Sequence, residues 1–418
     1  MDQVTLQRRT MRVLVASQVL GGIGVGSGIS VVGLLAYELS GEEALSGISA
    51  TAGVLGAAGA ALVIARIAVA RGRRPSLATG YLVGACGAAL AVVAAVLGAF
   101  PLHVVSSVAF GWSNAANLQS RFAATDLATP DQRSRALSTV VWATTVGAVL
   151  GPNLTGPGGD VAAWLGLPLL AGAYLFSLLS FIAAALVQLI WLRPDPLVVS
   201  RSEPKTPVNV LRRGALRTGW DAIRSSPRAM TGVSAVAIAH ATMVGVMVMT
   251  PVHMEHHGAA LNLVGLTISL HIAGMYALSP VVGWLSDRVG REPVLLVGVA
   301  QLFAAATFAA TANPVHSSLF QVGLVLLGTG WSCCLVAGST LLTEHVDQDH
   351  RAAAQGTSDL VMNLAGGVGG TLAGIVLAIA GYTALAFGAI SLLTIPVWFM
   401  FVARRASARP DEPVDARY

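Results

Sequence analysis

Long apolar runs alternate with short polar connections along the whole chain. Twelve runs stand out, at residues 11–37, 46–70, 76–98, 101–124, 136–156, 165–192, 229–251, 263–286, 293–312, 316–343, 354–380 and 383–403. A helix that crosses a bilayer needs about 20 mostly apolar residues. Each run therefore predicts one spanning helix. Ten-residue stretches of strict alternation, the mark of a membrane β-barrel of about that strand length, are absent. The pattern predicts an all-α membrane protein with twelve transmembrane helices.

One connection is long. Residues 193–228 are polar, basic and proline-bearing, with a short surface helix predicted near 215–223. This divides the chain into a six-helix bundle at 1–192, a linker at 193–228, a second six-helix bundle at 229–403 and a tail at 404–418. The first run follows Arg8, Arg9 and Arg12 but has no small-residue cleavage site, so it reads as a spanning helix rather than a signal peptide.

The charges fix an orientation. All 25 Lys and Arg fall in, or at the edge of, one alternating set of connections. The other set carries Glu38, Glu42, Glu43, Asp160, Glu255 and a histidine cluster. The positive-inside rule then predicts cytoplasmic termini, a cytoplasmic linker and residence in the cytoplasmic membrane. The phase also supports the count, because one missed span would put the bias out of register.

Composition narrows the function classes. Of the 418 residues 55% are hydrophobic and only 11% charged, against about 25% charged in soluble domains. A soluble enzyme is excluded. The net charge of +5 is spread over short connections, so no nucleic-acid partner is predicted. Cys86, Cys333 and Cys334 lie in apolar runs and imply no disulfide framework. The 46 glycines suit close helix packing in a membrane. No phosphate-binding loop, zinc-protease helix or nucleophile elbow occurs, so neither an enzyme activity nor a cofactor is predicted.

The two halves align at a single offset of 218. Gly72-Arg73-Arg74-Pro75 falls on Gly290-Arg291-Glu292-Pro293. Thr125-Asp126, Asp131 and Arg133 fall on Thr343-Glu344, Asp349 and Arg351. Gly151 and Gly156 fall on Gly369 and Gly374. Six helices repeated in one orientation imply two bundles related by an axis along the membrane normal.

Gly283-Trp-Leu-Ser-Asp287-Arg288-Val-Gly290-Arg291 closely resembles the signature loop of the major facilitator superfamily, G-x-x-x-D-R-x-G-R. The resemblance implies a secondary transporter working by alternating access. In the loop, Gly283 permits close helix approach. Asp287 is placed to sit against a neighbouring helix N-terminus. Arg288 and Arg291 are placed to latch across the half interface. The first-half copy departs from the pattern: Ala65 stands for the glycine and Val69 for the aspartate. Gly147-x-x-x-Gly151-Pro152 resembles the fifth-helix motif of facilitator antiporters and is read as packing and bending.

Ionisable residues inside a membrane are default functional candidates. No carboxylate lies near a predicted midplane. Asp359 is expected about a turn into the eleventh span. The deep titratable groups are His240 and His271. They sit in residues 230–275, which hold eleven of the nineteen histidines and methionines. His240, Met243 and Met247 share one predicted helical face, and His271 and Met275 another. Thioethers and imidazoles favour soft metals such as copper(I). His253, Glu255, His256 and His257 form a candidate outer capture site. Asp359 and His271 are the candidates for coupling to protons. Cys333-Cys334, Trp142, Trp331 and Asn363 read as packing or cavity lining.

The pair Met243-x-x-x-Met247 and His271-x-x-x-Met275 resembles a segment of the copper-importing facilitators that supply haem-copper oxidase assembly. Related facilitators with similar segments move organic molecules such as riboflavin. The resemblance therefore leaves two cargo classes open: copper(I) or a similar soft metal, and a small organic molecule moved by proton coupling. A facilitator-like sensor that does not transport is the rival class. The expected partners are the solute and the lipid bilayer, with the protein acting as a monomer.

Overall fold

The computed structural model describes residues 3–42, 45–200, 215–258, 261–315 and 317–407. The first half contains α1 (Gln3–Ser40), α2 (Ser46–Arg71), α3 (Arg73–Leu97), α4 (Phe100–Ala123), α5 (Arg133–Asn153), α6 (Thr155–Trp164) and α7 (Ala171–Trp191). Two linker helices follow, α8 (Pro196–Ser200) and α9 (Ala215–Arg224). The second half contains α10 (Pro227–His256), α11 (Leu261–Tyr276), α12 (Ser279–Val289), α13 (Arg291–Thr311), α14 (Ser318–Glu344), α15 (Gln348–Leu392) and α16 (Thr394–Ser407). Among the described residues there is no strand. The twelve spans form the two six-helix bundles expected from the repeat.

Ten helices are long and apolar enough to cross a membrane, and the bent pair α5 and α6 makes an eleventh. The remaining one is α4. It has the length of a span, 24 residues, but carries buried His103, Ser106, Ser113, Asn117, Gln119, Ser120 and Arg121. Its polar face is turned into the protein. The fifth span bends by 50° where Pro152 ends α5. Proline removes a backbone donor and clashes with the preceding turn, which is where helices kink. The eighth span breaks between α11 and α12, just ahead of Pro280. Gly381, at φ +80°, turns the chain between the eleventh and twelfth spans.

The first-half core is built from alanine and glycine with aromatic wedges. Phe181 lies where a Cβ on Gly24 would come within 2.5 Å of its ring, and Phe110 does the same at Gly28. α1 and α5 cross on two glycine pairs. A Cβ on Gly147 would come within 2.2 Å of Gly22, and one on Gly151 within 2.6 Å of Gly26. The second-half core is larger and runs from Leu302, Leu324 and Trp331 to Met243, Met275 and Tyr382. Leu137 and Val141 of α5 join it from the first half. The halves therefore meet where α5 packs on α11 and α12, and where α2 packs on α15. Large apolar side chains such as Leu97, Ile190 and Phe303 stay exposed on the outer surface, as a lipid-facing wall requires.

Candidate gate and solute site

Asp287 lies near the end of α12 and its carboxylate seats on the first turn of α5, across the half interface. Oδ1 accepts from the Ser134 N–H at 3.0 Å and Oδ2 from the Arg135 N–H at 2.9 Å. These amides have no partner inside α5, and the helix dipole favours a negative charge there. Gly283, one turn back, makes room for the approach: a Cβ would come within 2.0 Å of Ser138 Oγ and 2.7 Å of the Ser134 carbonyl. Gly290 turns the chain at φ +99°, a conformation glycine adopts without strain. Arg291 then folds back. It donates to the Ser286 carbonyl at 2.8 Å, to Glu344 at 2.9 Å and to the Pro130 carbonyl of the other half. Arg288 does not cross the interface. It turns outward over the Trp284 ring, 5.2 Å from the centroid.

The first half repeats the ion pair at the same offset of 218. Arg73 Nε donates to Asp126 at 2.8 Å, as Arg291 does to Glu344. Arg73 also reaches over to Gln355 Oε1 of α15 at 2.6 Å.

A second buried ion pair lies further in. Arg121 of α4 meets Asp359 of α15 at 2.5 Å, with each side chain 1% exposed. Gln119 donates to the other Asp359 oxygen at 2.9 Å. Arg121 is further held by the Leu118 carbonyl at 2.7 Å and Ser339 Oγ at 3.3 Å. α15 begins at Gln348, so Asp359 is about three turns into the helix rather than one. The polar residues Gln348 to Arg351 open this helix ahead of its apolar run, which is why hydropathy sets its start too late. The arginine distribution likewise sets Arg121 at a membrane edge, whereas it is among the largest fully buried side chains.

The two deep histidines are each engaged by α14 at different levels. Trp331 Nε1 donates to His240 Nδ1 at 3.1 Å. His271 Nδ1 donates to the Leu324 carbonyl at 2.9 Å. Leu324 and Trp331 are seven residues apart on α14, about 10 Å along its axis. Met243 and Met275 are buried in the second-half core, with Met247 packed on its margin. His271 Nε2 is buried without a hydrogen-bond partner. Among the described residues no three His, Cys, Asp or Glu side chains are grouped so as to hold a metal ion. Cys333 and Cys334 are buried free thiols in the second-half core.

On the opposite face, His253 stacks on Tyr382 at 4.0 Å between centroids and lies 4.4 Å from the His257 ring. The Glu255 and His256 side chains fall outside the described residues.

A profile of the Major Facilitator Superfamily matches residues 14–261 and 233–416. The MFS-type transporter YddS of Bacillus subtilis (strain 168) is 42% identical over 407 residues, covering 96% of this chain and 93% of that one. The chain belongs to the major facilitator superfamily. The riboflavin transporter RfnT of Brucella anthropi is 28% identical over 413 residues, 98% of this facilitator and 100% of RfnT. Among solved structures, the human organic anion transporter MFSD10 superimposes with a TM-score of 0.77 at 18% identity, over 94% of this chain and 99% of that one. The protein is thus a membrane transporter of the secondary type.

In a facilitator, a contact that joins the halves on one side biases the cycle. Asp287→Asn keeps an acceptor oxygen but removes the charge facing the α5 N-terminus. The balance between closed and open states on this side is expected to shift by about 1–2 kcal/mol, a several-fold change in population. Transport kinetics should change while the amount of protein in the membrane does not. Unaltered kinetics would remove Asp287 from the gate.

Sequence reasoning missed Arg121, Gln119 and Gln355. The repeat held part of the signal, since Arg73 with Asp126 and Arg291 with Glu344 already stand in register. Arg121 pairs outside the repeat: its counterpart at the offset is Ser339, which it touches.

Proposed function

We propose that this facilitator moves a small organic solute of the flavin type by alternating access, coupled to protons at Asp359. Its arginine-rich face lies in the cytoplasm, by the positive-inside bias. The surroundings of the methionines support the choice of cargo: Met243 and Met275 are buried among apolar side chains of the second-half core. Methionine is a common filler of irregular apolar gaps. The full-length likeness to a riboflavin transporter supports the same reading.

The coupling follows from the Arg121–Asp359 pair. It joins the two halves inside the membrane-spanning region, so opening this side must part it. An unpaired buried carboxylate is costly unless it takes up a proton. Parting and re-pairing would therefore bind and release one proton per cycle. A copper(I) reading keeps one observation in its favour, the unpaired Nε2 of His271 near the Met275 turn.

Purified protein in liposomes decides between them. Riboflavin counterflow and copper(I) uptake are measured in parallel, with and without a pH gradient. Flavin exchange is expected, with gradient-driven accumulation lost in Asp359→Asn. Met243→Leu with Met247→Leu preserves volume and should leave flavin flux near wild type. Copper uptake abolished by that double substitution in folded protein would reverse the assignment.

A further inference from the structure

The two contacts between the halves are related by the repeat, yet only one is closed by a carboxylate. In the second-half contact, Asp287 of α12 caps α5 at Ser134 and Arg135. At the offset of 218 the matching positions are Val69 of α2 and Ala352 and Ala353 of α15. No carboxylate from α2 reaches α15 there. The contact is apolar instead: Ala68, Ala352 and Leu197 form one buried cluster with Val69 packed on it. Leu197 is not part of either bundle. It belongs to α8, the first linker helix, and is 2% exposed.

The linker is fastened on both sides of that cluster. Ahead of Leu197, Asp195 Oδ2 accepts from the Arg74 N–H at 2.7 Å, in the first turn of α3. Its Oδ1 accepts from the Leu197 N–H at 3.0 Å and the Val198 N–H at 3.3 Å. Gly72, at φ +93°, leaves the space: a Cβ there would come within 2.4 Å of Asp195 Oδ2. After Leu197, the Ser200 carbonyl accepts from the Gln348 side chain at the start of α15. α8 thus has one end on the first half and the other on the second, with its apolar residue wedged between α2 and α15. The second linker helix closes on the same turns of α15. Gly219 lies against Ala353 and Thr357, and Trp220 and Ile223 pack with Ala354 and Val346.

We propose that residues 195–200 are a strap that holds the arginine-rich side closed, in place of the carboxylate missing at Val69. Asp195 keeps α8 on the first half throughout the cycle. Opening this side requires Leu197 to leave Ala352 and Gln348 to release Ser200. The signature loop and the strap then close the two symmetry-related contacts by different chemistry: one carboxylate cap and one apolar wedge. The inference needs superfamily membership but not the identity of the cargo.

The test has two arms, both in full-length protein with Cys86, Cys333 and Cys334 replaced by alanine. In the first, spin labels at exposed Gln132 and His350 report the distance between the halves in liposomes. Asp195→Ala should raise the long-distance population several-fold, and Asp195→Glu should restore the wild-type distribution. This arm needs no solute. In the second, Leu197→Cys with Ala352→Cys is oxidised and riboflavin counterflow is followed. The disulfide should form, stop exchange and release it on reduction, while each single cysteine exchanges normally. Where riboflavin is not carried by the unmodified protein, the spin-label arm alone decides. An Asp195→Ala distribution equal to wild type overturns the strap. So does a complete disulfide that leaves exchange intact, or a disulfide that does not form. Where Asp195→Ala protein does not accumulate, disulfide formation and its effect decide.

Discussion

Replacing Arg121 with leucine is expected to destabilise the protein by about 3–5 kcal/mol, because it strands the Asp359 carboxylate in a buried site. Asp359→Leu should cost a similar amount by stranding the guanidinium, which keeps the Leu118 carbonyl, the Ser339 hydroxyl and the Phe122 ring. The double substitution should recover most of the loss, since an apolar pair of similar volume removes both desolvation costs. Thermal unfolding in detergent measures all three. Recovery of stability without recovery of proton-driven transport is the expected signature of a coupling pair. A double mutant that transports normally would reduce the pair to a structural contact. One no more stable than either single mutant would show that the pair's value lies in its neighbours, Gln119 and Ser339.

Gly147→Val should be strongly damaging. The Cβ alone would approach the Gly22 backbone to 2.2 Å, and backbone cannot swing aside as a side chain can. Overpacking of this kind costs about 1–3 kcal/mol or forces α1 and α5 apart. Folded yield and unfolding temperature should both fall. Gly156→Ala supplies the control. Gly156 lies in α6, where an added Cβ would meet nothing within 4 Å, so alanine there should be neutral or stabilise by up to about 1 kcal/mol through helix propensity. Equal damage at Gly147 and Gly156 would mean that the close approach of α1 and α5 is not what the glycines serve.

Much of the architecture is written in hydropathy. Spans of leucine, valine and alanine have no soluble alternative, and the arginine phase predicts how they thread. α4 is harder, because its polar face is satisfied internally and lowers its hydropathy without ending the helix. The signature loop is legible down to the aspartate, whose partner amides follow from helix geometry. Its Arg288 is not, because cation–π stacking on Trp284 is a local choice between two exposed destinations. The buried Arg121–Asp359 pair is illegible for a related reason. Each residue sits near a span end in sequence, and only the tertiary offset between α4 and α15 brings them together inside. The methionine pattern is legible only as spacing: it predicts a shared face, and in the fold Met243 and Met275 lie in one apolar cluster.

The two contacts between the halves also differ in where the small residue stands. In one, Gly283 of α12 faces Ser138 of α5; in the other, Ala65 of α2 faces Gly356 of α15, whose Cβ would come within 2.3 Å of Ala65 Cβ. The glycine has changed sides while the gap has stayed closed. A tandem fusion of two first halves would set Ala65 against Ser138, two side chains in a space cut for one. A fusion of two second halves would set Gly283 against Gly356 and leave a void. Each half is therefore a mould for the other and not for itself, and chimaeras that exchange halves between relatives should assemble only when this glycine is inherited from the matching side.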